Sequence, residues 1–197
     1  MTNRQIEALK TRKLIYETAM KLFEEYGFDN VKIMQICNAA NVSTGAFYHH
    51  FEKKEEILVE QYRVVDRTFW TNLDDLSADT YLGKVVEYMG KYSLSAEKDG
   101  VRTVNEVYRV WLTLRQGFPF IEGEGATHGL KELLSSAQES GELDEDVDIE
   151  ELIWDILIIV RGTIYYWCQK EGNFNLTQKT ERIVSQFLYS YGFTGNE

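Results

Sequence analysis

A chain of 197 residues with one proline, Pro119, and two cysteines, Cys37 and Cys168, leaves several architectures out. So little proline lets long helices run uninterrupted, and few segments alternate apolar and polar residues as strands do. Two cysteines this far apart make neither a disulfide framework nor a zinc pattern. The longest strongly apolar run, Leu152–Val160, is too short to span a bilayer and is interrupted by Asp155. The N-terminus is polar and carries no apolar core of a secretory signal, so a reduced cytoplasmic protein is expected. Also missing are the arrangements that catalysis needs. There is no glycine-rich phosphate loop. His49 and His50 are adjacent on a short helix and point apart, and His128 has no carboxylate or thiol at ligand spacing. No local histidine, asparagine or aspartate activates Cys168. Neither an enzyme nor a metal or cofactor site is expected.

Positive charge is also short in supply: the formal net charge is −11. Its placement is uneven. Residues 1–60 hold 8 Lys and Arg against 9 Asp and Glu, whereas residues 61–197 hold 13 against 23. The N-terminal quarter is thus nearly neutral, and its cations Arg4, Lys10, Arg12, Lys13, Lys32, Lys53 and Lys54 are available to phosphate or to water. The acidic remainder repels a polyanion.

What is present points to helices. With 44% hydrophobic residues the chain can bury a core, and its breaks fall at helix-ending positions. Ile15, Ala19, Leu22, Phe23 and Tyr26 fall on one face of a helix from Arg4 to Tyr26, stopped by Gly27. Ile33, Ile36 and Ala40 give a second, short helix. Asn41 occupies a turn that needs left-handed backbone, and Ser43 or Thr44 caps a third helix. In that helix Phe47 and Phe51, at i and i+4, pack inward. Thr44, Gly45, Ala46, Tyr48 and His49 are left on the outer side. This is the build of a helix-turn-helix, whose second helix enters the major groove of DNA.

These residues carry a family resemblance. Ala19, Leu22-Phe23, Gly27, Ile36, Ala40, Val42-Ser43, Gly45, Phe47-Tyr48, His50-Phe51, Lys54 and Glu55-Glu56-Ile57-Leu58 stand at fixed spacing. Residues 12–58, about a quarter of the chain, resemble through them the DNA-binding domain of the TetR family of bacterial transcriptional regulators. Four positions depart from the family pattern. Lys32 stands where Thr or Ser caps the second helix, which leaves that cap missing or shifted to Asn30. Cys37 replaces Ala, Asn41 replaces Gly, and Ala46 replaces Thr, removing a hydroxyl from the recognition face. The DNA-contact set on this reading is Lys32, Gln35, Ser43, Thr44, Gly45, Ala46, Tyr48, His49, Lys53 and Lys54, with Tyr48 and Lys54 mainly on phosphate.

The expected architecture is all-α with about nine helices: a helix-turn-helix domain over residues 1–54 and a ligand-binding and dimerisation domain over 55–197. A connecting helix runs from Glu55 to Leu76. Helices follow at Asp79–Ser95, Val101–Gln116, Ala126–Ser140, Ile149–Lys170 and Leu176–Tyr191, broken at Asp99-Gly100, at Gly117-Phe118-Pro119 and at Gly141. Ile149–Lys170 is apolar over so wide an arc that it needs partners on two sides. It is either buried in the monomer or paired with a second subunit; the resemblance implies a homodimer through the last two helices.

Tyr88, Tyr92, Tyr108 and Trp111 are spaced to share helical faces, with Tyr165 and Arg161 on a later helix. Such a set either walls a cavity for an aromatic or amphipathic effector, with Arg109, Arg115, Arg161 or His128 as polar handles, or is ordinary core. A buried Arg161 needs a carboxylate, Glu106 or Asp155, or an anionic ligand. The functional expectation is a ligand-responsive repressor, released from operator DNA by a small molecule. The alternative is a helical protein-interaction adaptor that keeps the fold without binding an operator.

Overall fold

The computed structural model describes residues 2–58, 60, 73–113 and 125–192. It is all-α, with no strand among the described residues. The chain divides into two compact units: Met1–Tyr62 with Glu106–Gly117, and Arg63–Asn105 with Phe118–Glu197.

The first unit begins with α1, Asn3–Tyr26, capped by Thr2. The Thr2 hydroxyl accepts from the Gln5 amide at 3.3 Å, and the Gln5 side chain accepts from the Thr2 amide at 2.8 Å. Gly27, at φ +82°, ends the helix, donating its N–H to Phe23. A 3-10 turn, Phe28–Asn30, leads to α2, Ile33–Ala39, and then α3, Thr44–His50. Between them Asn41 adopts φ +52°, the left-handed conformation expected of that turn. Ser43 caps α3 by accepting from Ala46 N–H at 3.0 Å. Ile15, Ala19, Phe23, Phe28, Ile36, Phe47 and Phe51 form the buried centre. Two expectations need correction. Tyr26 is 52% exposed, and the aromatic place in the core goes to Phe28, 5% exposed, just past the helix end. Leu22 is only half-buried.

The second unit opens with a 3-10 turn at Leu73–Asp75, where the last turn of the connecting helix was expected; residues 61–72 of that helix lie outside the described residues. In α4, Tyr81–Thr113, Gly100 sits at φ +80° and ψ +151° and interrupts the helical path at the expected break. Its last described stretch, from Glu106, belongs to the first unit. The expected break around Pro119 lies outside the described residues. Helix α5, Ala126–Ser140, stops at Gly141 in the left-handed conformation. Asp148 caps α6, Ile149–Gln169, and Asn175 caps α7, Leu176–Leu188. Tyr189–Tyr191 then tightens into a 3-10 turn. Glu97 reinforces the start of α7: its two carboxylate oxygens accept from Leu176 N–H and the Thr177 hydroxyl, each at 2.7 Å. Leu152, Ile153, Ile156, Leu157, Val160 and Ile164 of α6 are buried, so most of that helix's apolar arc is core.

Candidate nucleic-acid interface

The geometry of α3 follows from its two phenylalanines. Phe47 is fully buried and Phe51 is 1% exposed, with ring centroids 5.9 Å apart. With that face anchored, Thr44, Gly45, Tyr48 and His49 stand outward and Ala46 is half-buried. Tyr48 is 54% exposed, and its ring rests edge-on against Phe47 at 5.5 Å. The outer surface therefore offers hydroxyl and imidazole groups over a narrow backbone, which suits close approach to base edges and phosphate oxygens.

At the start of α2, the Gln35 side-chain oxygen accepts from Lys32 N–H at 2.7 Å. It restores one half of a capping box without a hydroxyl at the cap position. Asn30 does not substitute: its amide donates to the Tyr26 carbonyl at 2.9 Å. The Gln35 amide nitrogen remains at the exposed end of α2, together with exposed Lys32.

The cations sort into two groups. Lys53 is exposed. Lys10 and Lys13 lie along α1 in exposed pairs with Glu7 at 2.9 Å and Glu17 at 3.7 Å, contacts too weak to hold them from a phosphate. Arg12 and Lys54 are turned into the head, although Lys54 was expected mainly on phosphate and Arg12 was counted among the cations available to phosphate or to water. Lys54 Nζ donates to the Phe28 and Val31 carbonyls at 2.6 and 2.8 Å. Arg12 donates to the His50 carbonyl and pairs with Glu60 at 2.9 Å. Burial pushes the His50 imidazole below its ordinary range, and His49 and Arg12 add to the effect.

Sequence reasoning missed the role of Arg109, which was read as a handle for an effector. Its guanidinium binds Glu106 at 2.6 Å and Asp29 at 2.9 Å, within the first unit. Glu106, one of the carboxylates considered for Arg161, is thus engaged by Arg109. No local signal would have joined Asp29 to a residue so far along the chain.

The aromatic set is divided. Tyr88 and Tyr92 belong to the second unit and are 1% and 3% exposed; Tyr108, 8% exposed, belongs to the first. The side chain of Trp111 and residue Arg115 lie outside the described residues. Tyr165 is 45% exposed and accepts from the Gln169 amide at 3.2 Å. Trp154 and Ile158 of the same helix are exposed as well. Tyr88 lies tight against α5, where a Cβ at Gly129 would come within 2.6 Å of Tyr88 Cζ. Arg161 is half-buried.

Burial alone pushes the Cys168 thiol up to about 11, and burial raises Cys37 as well, so both stay protonated at neutral pH. Among the described residues no cluster of three His, Cys, Asp or Glu could hold a metal ion, and no helix is long and apolar enough to cross a membrane.

Comparison with known proteins bears on the head most strongly. Residues 15–60 match the family profile described as bacterial regulatory proteins, tetR family. A stretch of 56 residues is 43% identical to the probable acrEF/envCD operon repressor of Escherichia coli K12, covering 28% of this chain and 26% of that one. The match thus spans about a quarter of that relative's length. The HTH-type transcriptional regulator UidR of the same strain is 28% identical over 156 residues, 75% of this chain and 76% of its own. In fold, the chain is similar to Thermus thermophilus FadR, a TetR-family transcriptional repressor solved with lauroyl-CoA. The TM-score is 0.75 at 17% identity, over 94% of this chain and 96% of that one.

Proposed function

We propose that this chain, a tetR-family protein by its N-terminal head, is a ligand-responsive transcriptional regulator, a repressor that a small molecule releases from operator DNA. The observation that carries this reading is the outer face of α3, where Thr44, Gly45, Tyr48 and His49 stand exposed on a helix anchored by Phe47 and Phe51. Laid in the major groove, Gly45 and Ala46 let the backbone approach closely, and Thr44 and His49 reach base edges. Tyr48 donates its hydroxyl to phosphate. Lys32, Gln35, Ser43 and Lys53 meet the flanking backbone.

A second copy of the chain supplies the second head. Trp154, Ile158 and Tyr165 of α6, 47%, 63% and 45% exposed, fall on one helical face and support pairing through α6 and α7. The acidic remainder then turns away from DNA and weakens non-specific binding. The effector belongs to the second unit, with Tyr88, Tyr92 and Arg161 as the side chains proposed to meet it. The FadR of similar fold was solved with lauroyl-CoA, and an effector with an apolar body and an anionic end would suit aromatic side chains and an arginine. To empty the operator, the effector must favour the non-binding conformer by about 5 kcal/mol.

The test is fluorescence anisotropy of the purified protein on DNA from upstream of its own gene, at low and physiological salt, against a scrambled duplex. Tight, sequence-specific and salt-dependent binding is expected. Affinity no better than for the scrambled duplex at either salt would overturn the operator reading and favour a protein-docking head.

A further inference from the structure

Two cations of the first unit, from opposite ends of the helix-turn-helix sequence, repeat one arrangement. Arg12, on α1, donates from one terminal nitrogen to the His50 carbonyl, at the end of α3, and from the other to Glu60 at 2.9 Å. Its guanidinium carbon lies 4.3 Å from the centroid of the Phe51 ring. Lys54, just past α3, donates to the Phe28 and Val31 carbonyls at 2.6 and 2.8 Å. Its ammonium lies 4.2 Å from the centroid of Phe28. Each cation thus takes main-chain oxygens at one flank of the helix-turn-helix and covers a core aromatic ring. Charge-assisted bonds of this kind are about twice as strong as neutral ones, and the ring contact adds to them.

The positions of the accepting carbonyls give the pattern its purpose. His50 ends α3, where the last carbonyls of a helix have no partner within it. Phe28 and Val31 form the turn that delivers the chain to α2. Arg12 therefore ties the end of α3 to α1, and Lys54 ties the segment after α3 to the entry of α2. Two of the three Lys54 donors are engaged, and swinging the ammonium to a phosphate would break both bonds.

We propose that Arg12 and Lys54 are positioning residues that clamp the helix-turn-helix from its two flanks, and that neither is a phosphate contact. The proposal rests on the reading of the head as a DNA-binding unit for its functional consequence, but not for its geometry. Both residues then set DNA affinity by holding α3 at its angle and height before DNA arrives.

The experiment uses the full chain with Arg12→Met and Lys54→Met. Arg12→Lys and Lys54→Arg retain the charge with altered donor geometry, and they carry the same readouts where a methionine variant does not fold. Amide hydrogen exchange is followed in the free protein, and affinity for a random-sequence duplex is followed between about 50 and 200 mM salt. Exchange is expected to quicken about tenfold around Phe28–Ile36 for Lys54 and around Phe47–Phe51 for Arg12, the size of a lost charge-assisted bond. The slope of affinity against salt is expected to stay at its original value. Unchanged exchange in the free protein overturns the clamp whether or not DNA binds. A slope reduced by about 0.9 for each charge removed, and restored by the charge-retaining variants, assigns the residue to phosphate instead. A parent protein that ignores the duplex at all salts defeats the DNA-binding reading, while the exchange result still decides the clamp.

Discussion

Arg109 and Asp29, 80 positions apart in the chain, meet in an ion pair of 2.9 Å. Arg109 comes from the last stretch of α4, and Asp29 from the turn between α1 and α2. The same guanidinium binds Glu106 one helical turn back, and its carbon lies 5.8 Å from the Phe28 ring centroid. The Glu106 hydrogen bond is the largest cause that raises the Arg109 pKa, and Asp29 adds to it. The head is therefore completed by residues that no reading of positions 1–60 contains. Val107, Tyr108 and Val110 of the same stretch are buried and belong to the first unit.

Because Arg109 and Asp29 are 50% and 74% exposed, their direct coupling should be small. A double-mutant cycle with Arg109→Ala and Asp29→Asn, followed by chemical unfolding, should give about 0.2–1 kcal/mol. At 1 M salt, where screening acts within about 3 Å, the coupling should fall towards zero. A coupling that survives high salt would mean that the pair is held in a far less watery setting than its exposure implies.

Gly129→Ala should destabilise the second unit by about 1–3 kcal/mol, although alanine is the better helix former. The added methyl would sit 2.6 Å from Tyr88 Cζ and closer still to its hydroxyl, and Tyr88 is 1% exposed with little room to withdraw. Tyr88→Phe should recover part of the loss. Thermal unfolding of the two single variants and the double decides it; a more stable Gly129→Ala chain would refute the packing argument.

Glu181 carries a pH dependence. Burial, and then the charge of Glu87, raise its carboxyl above the ordinary 4.5. Burial also works against Glu87, but hydrogen bonds from Lys91, Ser77 N–H and Ala78 N–H outweigh it, so that carboxyl stays ionised to lower pH. The folded state holds the Glu181 proton more tightly than the unfolded state does. Stability from this group is therefore present below pH 4.5 and declines as pH rises through the raised folded value. Glu181→Gln should raise the melting temperature at pH 7 and flatten the fall just above pH 4.5. A lower melting temperature at pH 7 would show that the ionised carboxylate is favourable there.

Tyr48→Phe should weaken binding to operator and scrambled DNA alike, by about 0.5–1.5 kcal/mol, the scale of one hydrogen bond. Thr44→Val, by contrast, should cost more on operator than on scrambled duplex, since a base-edge contact is lost. Anisotropy titrations of both variants on both duplexes separate the roles. Equal losses on both duplexes for Thr44→Val would move Thr44 to the phosphate backbone.

Asn41, at φ +52°, tests the turn itself. Asn41→Gly should leave stability unchanged or slightly improved, whereas Asn41→Ala should cost about 1 kcal/mol. Equilibrium unfolding in urea measures both. Equal stabilities for the Gly and Ala variants would show that the asparagine side chain, rather than its backbone freedom, holds the turn.

The helix boundaries were legible because their signals are local. Gly27, Asn41, Ser43 and Gly141 each act on backbone groups within a few residues, through a cap or a left-handed turn. The outward side of α3 was legible for the same reason, since burying Phe47 and Phe51 leaves only one orientation for Tyr48. Tyr26 misled because helical spacing alone cannot tell which of two nearby aromatics, Tyr26 or Phe28, turns inward once the helix has ended.

The sequence by itself determined the all-α build, the helix-turn-helix and the face that it presents, because periodicity and turn chemistry operate over one or two helical turns. Only the tertiary structure decided which charges face inward. Arg12 and Lys54 look like any surface cations until the carbonyls of His50, Phe28 and Val31 are brought beside them. Tyr88 is buried only where Gly129 leaves room for its ring, and Arg109 joins the head only when α4 carries it back to Asp29. Each of these outcomes depends on packing between segments distant in sequence, and no residue's neighbours along the chain encode it.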